Sequence, residues 1–197
     1  MAVQAYHVIF GAYGFWLPND PRGSWSDFVA AWELFRFGGK ATKVDTRLSV
    51  AAKPHDRVAR IAAKERLKYP AVSFTGVQAQ AVGHAFGAAS RDLGIVVAAC
   101  SILPEHVHLV LGRSEYTAET MVRMFKAEAS KRLREDGLHP LAQFKDEEGS
   151  LPTPWARRCW KVFLDSDEDV ARAIEYVERN PIKEGLPAQR WKFVSSR

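Results

Sequence analysis

The run IVVAACSILPEHVHLVLG, residues 95–112, decides the fold. Residues 95–103 form a run of strand length that is apolar but for Ser101, Pro104 and Glu105 interrupt it, and HVHLVLG follows, so the stretch predicts a β-hairpin. Strand side chains alternate between two faces, which places His106 and His108 together on one face and Val107 and Leu109 on the other. Two imidazoles therefore converge on one small region. A lone strand histidine is usually a satisfied polar residue; a His-x-His pair either binds a metal or lies on a solvent-facing surface.

Working outward, AYHVIFGAYGFWL (residues 5–17) reads as a strand ended by the turn-rich PNDPRGSWSD. Residues 18–75 are irregular and read as an insertion after this first strand, with a helix-like SDFVAAWELFRFG and a basic amphipathic helix around 55–67. TGVQAQAVGHAFGAASRDLG predicts a helix with Thr75 as N-cap, Val77, Ala81 and Ala85 on one stripe, and Gly94 at its end. Beyond the hairpin, residues 117–135 form an amphipathic helix, CWKVFL (159–164) a strand, and DEDVARAIEYVERN a helix opened by Asp165 or Ser166 and ended by Pro181. With the insertion set aside, the order is strand, helix, strand, strand, helix, strand, helix. This is an α+β class chain, a ferredoxin-like βαββαβ antiparallel sheet with an added C-terminal helix.

A length of 197 residues suits one domain spanning 1–197. Cys100 and Cys159 fit neither a zinc spacing nor a disulfide framework, and the first apolar run is too short and too aromatic for a signal peptide or membrane span. A cytoplasmic protein without a membrane segment is expected. Lys and Arg number 28 against 23 Asp and Glu, a net charge of +5, which permits a nucleic-acid partner. The basic residues gather at 57–68, 122–134 and 156–161, and Trp155 and Trp160 bracket the last group. Cations that track phosphates, interleaved with aromatic faces that stack on bases, suit single-stranded nucleic acid, although each cluster alone also reads as a solvated helix face.

The last helix supplies partners for the histidines. Val170, Ile174 and Val177 at i, i+4 and i+7 form its core-facing stripe, leaving Tyr176 and Asn180 one turn apart on an edge. A tyrosine there is either a half-buried core residue or a covalent nucleophile. His-Val-His at 106–108, together with Tyr176 followed by NPIKEGL (180–186), resembles the single-tyrosine HUH transposases, in which two histidines flank a hydrophobic residue, and among them the REP-associated tyrosine transposases. The resemblance covers roughly residues 76–187 and the first strand.

That resemblance implies a metal-dependent endonuclease and strand transferase acting on single-stranded, hairpin-forming DNA. Tyr176 is then the nucleophile that forms a 5′-phosphotyrosine link, and the added helix is catalytic. His106 and His108 hold Mg²⁺ or Mn²⁺, and the third ligand falls on Asn180, a residue equally suited to cap the helix before Pro181. Arg123, Lys126, Lys131, Arg134, Arg157, Arg158 and Lys161 are the expected phosphate contacts. The wider family includes both monomers and dimers, so a homodimer is compatible with the resemblance. A different class, a non-catalytic single-stranded nucleic-acid binding module on the same sheet, and a metal-dependent hydrolase of small phosphoesters are the competing readings.

Overall fold

A computed structural model describes residues 3–15 and 57–195. The helix-like segment at 26–38, the last two residues of the first-strand reading and most of the expected insertion lie outside these residues. β1 (Ala5–Gly11) is followed by α1 (Arg57–Glu65), α2 (Gly76–Leu93), β2 (Val97–Ile102), β3 (His106–Gly112), α3 (Ala118–Glu135), β4 (Trp160–Leu164) and α4 (Asp167–Lys183). The strands form one antiparallel sheet in the order β2-β3-β1-β4, the arrangement in which each strand–helix–strand unit is split by a strand of the other. Among the described residues no helix is long and apolar enough to cross a membrane.

The two faces of the sheet carry separate cores. Val8, Phe10, Val107, Leu109 and Leu111 pack against α2 and α3, where Phe86 meets Phe10 and Phe125 edge-on at 6.1 and 5.2 Å between ring centroids. Ala5, Ala99, Val110 and Leu164 face α4, which contributes Ala173, Ile174 and Val177. Each large side chain buried this way contributes about 1.5–3 kcal/mol, so both faces of the sheet add to its stability. The strand alternation read from HVHLVL is thus realised: its valine and leucines supply the first core and its histidines turn toward α4.

The predicted caps are present. The Thr75 hydroxyl accepts from Gln78 N–H while the Gln78 amide oxygen accepts from Thr75 N–H, a reciprocal capping box, and Gly94 takes the left-handed φ of 63° that ends α2. Ser166 caps α4 by accepting from Asp169 N–H at 3.1 Å. On α2 the buried stripe is Ala81, Val82, Ala85, Phe86 and Ala89, whereas Val77 stays exposed in the first turn.

Two expectations are corrected. The first strand stops at Gly11, short of the 5–17 reading, because the chain turns at residues 13–14, where Gly14 takes a left-handed φ of 82°. Pro181 does not end α4, which runs on to Lys183. Proline lacks one N–H, but its fixed φ is itself helical, so within the final turn it sacrifices a single backbone bond. The true terminus lies at Gly185, with φ of 73°; Leu186 N–H donates to Pro181 O and Gly185 N–H to Ile182 O, the paired bonds of a Schellman cap. The Gly-Leu of NPIKEGL is therefore the helix stop, and Asn180 lies inside the helix instead of capping it.

The segment after α4 returns across the sheet edge. The Gln189 amide donates to Ile102 O at 2.7 Å and accepts from Ile102 N–H at 2.8 Å, and Ser195 N–H donates to Val97 O. Trp191 packs on Gly83 of α2, where a Cβ would stand 2.1 Å from the indole. Edge strand β2 is thereby covered.

Candidate active site

The face of the sheet under α4 gathers residues that are far apart in sequence. Antiparallel partners share a face, so the pairings His7↔Val110 and Ile9↔His108 put His7, His106 and His108 on one side of two adjacent central strands. His7 Nε2 lies 3.1 Å from His108 Nδ1, with the rings stacked at 5.3 Å, and His106 meets His108 edge-on at 4.9 Å. Phe15 stacks on His106 at 4.6 Å. α4 then brings the Tyr176 ring to 5.7 Å from both His7 and His108.

Tyr176 is 42% exposed, so its phenol sits at the mouth of the cluster, while Asn180, one turn further along α4, is buried. The Lys183 ammonium lies 4.6 Å from the Tyr176 ring centroid. Burial, and then the Glu184 carboxylate, push the Tyr176 phenol above its usual value of 10.0. Burial lowers His7 from 6.5 to about 4, and holds His108 well below 6.5 with the His106 and His7 imidazoles adding to the effect. These two rings are therefore neutral near pH 7, the state in which an imidazole nitrogen offers a lone pair to a cation.

Two buried polar atoms on this face lack a hydrogen-bond partner: Asn180 Nδ2, and Ser101 Oγ, whose residue pairs with His108 across β2 and β3. Among the described residues no three histidine, cysteine or carboxylate side chains form a cluster able to hold a metal ion. A metal here would therefore need a donor of another kind beside the histidines. Asn180, buried one turn beyond Tyr176, is the candidate for that donor, because a half-turn of its amide puts the oxygen where the orphaned nitrogen stands. Imidazole nitrogens with an amide oxygen are a mixed donor set open to a divalent ion such as Mn²⁺, with water completing its shell, whereas Mg²⁺ favours oxygen donors.

The basic residues singled out by sequence lie elsewhere. α3 and the Val8-facing side of β4 occupy the opposite face of the sheet, and there Arg123, Lys126, Arg158 and Cys159 line a cleft of about 320 Å³. Arg123, Arg134, Arg157 and Arg158 are exposed; Lys131 pairs with Glu128 and Lys161 with Glu119. Lys126 is committed to the fold: its ammonium donates to Ala156 O at 2.9 Å and Arg158 O at 2.7 Å, and burial lowers it to about 8. Sequence reading missed His7, Ser101 and Lys183. The signal for His7 was its even spacing in a strand that had to lie beside HVHLVL.

No protein-family profile matches the chain. A Haemophilus influenzae protein provisionally named a REP-associated tyrosine transposase is 30% identical over 108 residues, covering 50% of this chain and 57% of the relative, so the chain spans little more than half that protein's length. Among solved structures, a REP-associated tyrosine transposase bound to a REP hairpin superposes with a TM-score of 0.50 at 14% identity, covering 95% of this chain and 72% of the other. A protein of Deinococcus radiodurans, provisionally called a transposase, matches at a TM-score of 0.41 and 13% identity over 95% of each chain. In part of its sequence and in its fold, this chain resembles the REP-associated tyrosine transposases.

Proposed function

We propose that the protein nicks and rejoins single-stranded DNA at hairpin-forming repeats, with Tyr176 as the nucleophile. The observation that carries this reading is the convergence of Tyr176, on the last helix, with His108 and His7, on two central strands, at 5.7 Å. The hairpin substrate is inferred from the relative solved with a REP hairpin. The phenol oxygen of Tyr176 attacks the scissile phosphorus; a P–O bond to tyrosine forms as the P–O3′ bond breaks, the phenol proton is lost and the departing 3′ oxygen gains one. The phosphodiester is exchanged rather than hydrolysed, so the reverse attack by a 3′-hydroxyl rejoins a strand without ATP.

His106, His108 and Asn180 would hold a Mg²⁺ or Mn²⁺ ion, which supplies charge neutralisation at the non-bridging phosphate oxygens. The chain's own residues orient the nucleophile: α4 fixes Tyr176 through its buried stripe, and Lys183 places a positive charge beside the ring, where developing phenolate charge is favoured. Incubating the protein with labelled hairpin DNA and Mn²⁺, then searching for a DNA–peptide adduct by mass spectrometry, tests this. An adduct is expected at Tyr176, lost in Tyr176→Phe and reduced by at least 100-fold in His106→Ala. Hairpin binding with no adduct across a broad panel would favour the non-catalytic binding module. Cleavage that survives Tyr176→Phe would favour a phosphoesterase without a covalent step.

A further inference from the structure

His108 shares a hydrogen bond with another histidine, and the direction of that bond decides what His108 can do. We propose that His7 is a positioning residue whose Nε2 accepts a hydrogen bond from His108 Nδ1–H across 3.1 Å, locking His108 in the tautomer whose Nε2 lone pair is bare. The inference rests on the reading of His108 as a metal ligand. A neutral imidazole carries one N–H, so a 3.1 Å contact between two ring nitrogens holds a single proton. If His7 were the donor, His108 would keep its proton on Nε2 and neither of its nitrogens could bind a cation. With His108 as donor, one nitrogen anchors the ring and the other is available, the usual division of labour in a metal-bound histidine.

Three features support this assignment over one in which His7 is itself a ligand. No trio of histidine, cysteine and carboxylate groups among the described residues is placed to share one ion. The two rings stack at 27°, an alignment that places one ring alongside the other. Both residues stand on paired central strands, so the contact is set by backbone register and needs no loop to close.

Long-range ¹H–¹⁵N spectra of the metal-free full-length chain read the tautomers directly. His108 is expected to carry its proton on Nδ1, and His7 to show a bare Nε2. In His7→Phe that preference should collapse to a mixture, and Mn²⁺ affinity, followed by electron paramagnetic resonance, should fall about 10–100-fold. His7→Gln, whose amide oxygen can accept in place of Nε2, should recover most of the affinity, which separates positioning from loss of fold. An Nε2–H tautomer at His108, unchanged Mn²⁺ affinity in His7→Phe, or three imidazole nitrogens coupled to bound Mn²⁺ would overturn the assignment. Wild-type protein that shows the expected tautomer yet binds no Mn²⁺ would instead overturn the metal-dependent reading while leaving the His7–His108 bond standing.

Discussion

Lys126 shows how a residue's chemistry depends on where its carbons are buried. Its ammonium lies over the Phe10 ring, 5.0 Å from the ring centroid, and its two carbonyl partners lie in the strap that leads into β4. Arg158, one of those partners, takes a left-handed φ of 62° without being glycine, a conformation that neighbouring contacts have to sustain. Lys126→Met keeps the stem and removes both charge-assisted bonds, and should cost about 2–4 kcal/mol in urea unfolding. A residue that contacted only phosphate would leave stability unchanged on the same substitution. From sequence, Lys126 was indistinguishable from the exposed Arg123, because a helix periodicity shows which side chains turn inward and not which long polar ones reach across to a loop.

At the level of elements, the hairpin and the capped helices were legible because each rests on a local rule: period-two alternation, Thr75 ahead of an apolar stripe, Ser166 ahead of an acidic turn. The site was half legible. His106 and His108 lie in one strand, and Tyr176 and Asn180 on one helix, so each pair declared itself; His7 became visible only once β1 was seen to pair with β3. The end of α4 was misread because proline is a reliable stop only when the following residues are free to leave the helix, whereas here the Gly185 cap sits four residues later. The strap over β2 rests on a fit no local pattern reveals, the indole of Trp191 on bare Gly83. Gly83→Ala should push the indole off α2, shifting tryptophan emission to the red and speeding amide exchange in β2, whereas a tail that touched the edge only loosely would leave both unchanged.

For the whole molecule, the buried histidines make stability depend on pH. His7 titrates near 6.5 when unfolded and near 4 when folded, so between those values the unfolded chain binds more protons. Its contribution is fully present above pH 6.5 and is lost as pH falls through that interval, about 3 kcal/mol for a shift of this size, and His108 acts in the same direction. Metal-free protein should therefore show a falling Tm between pH 7 and 4.5, and His7→Gln, which cannot titrate, should flatten part of that slope. The sheet also separates two groups of polar residues, since the histidine and tyrosine face lies under α4 while Arg123 and Arg158 line the cleft on the other side. The pairing of the first strand with the third carries a final consequence. His7 and His108 are 101 positions apart, so during translation at ordinary rates the N-terminal strand waits roughly 5–20 s for its partner to leave the ribosome, and longer for Tyr176. A chain released before α4 is made lacks Tyr176 and the helix that covers the histidine face of the sheet, so the site stays open until synthesis is nearly finished.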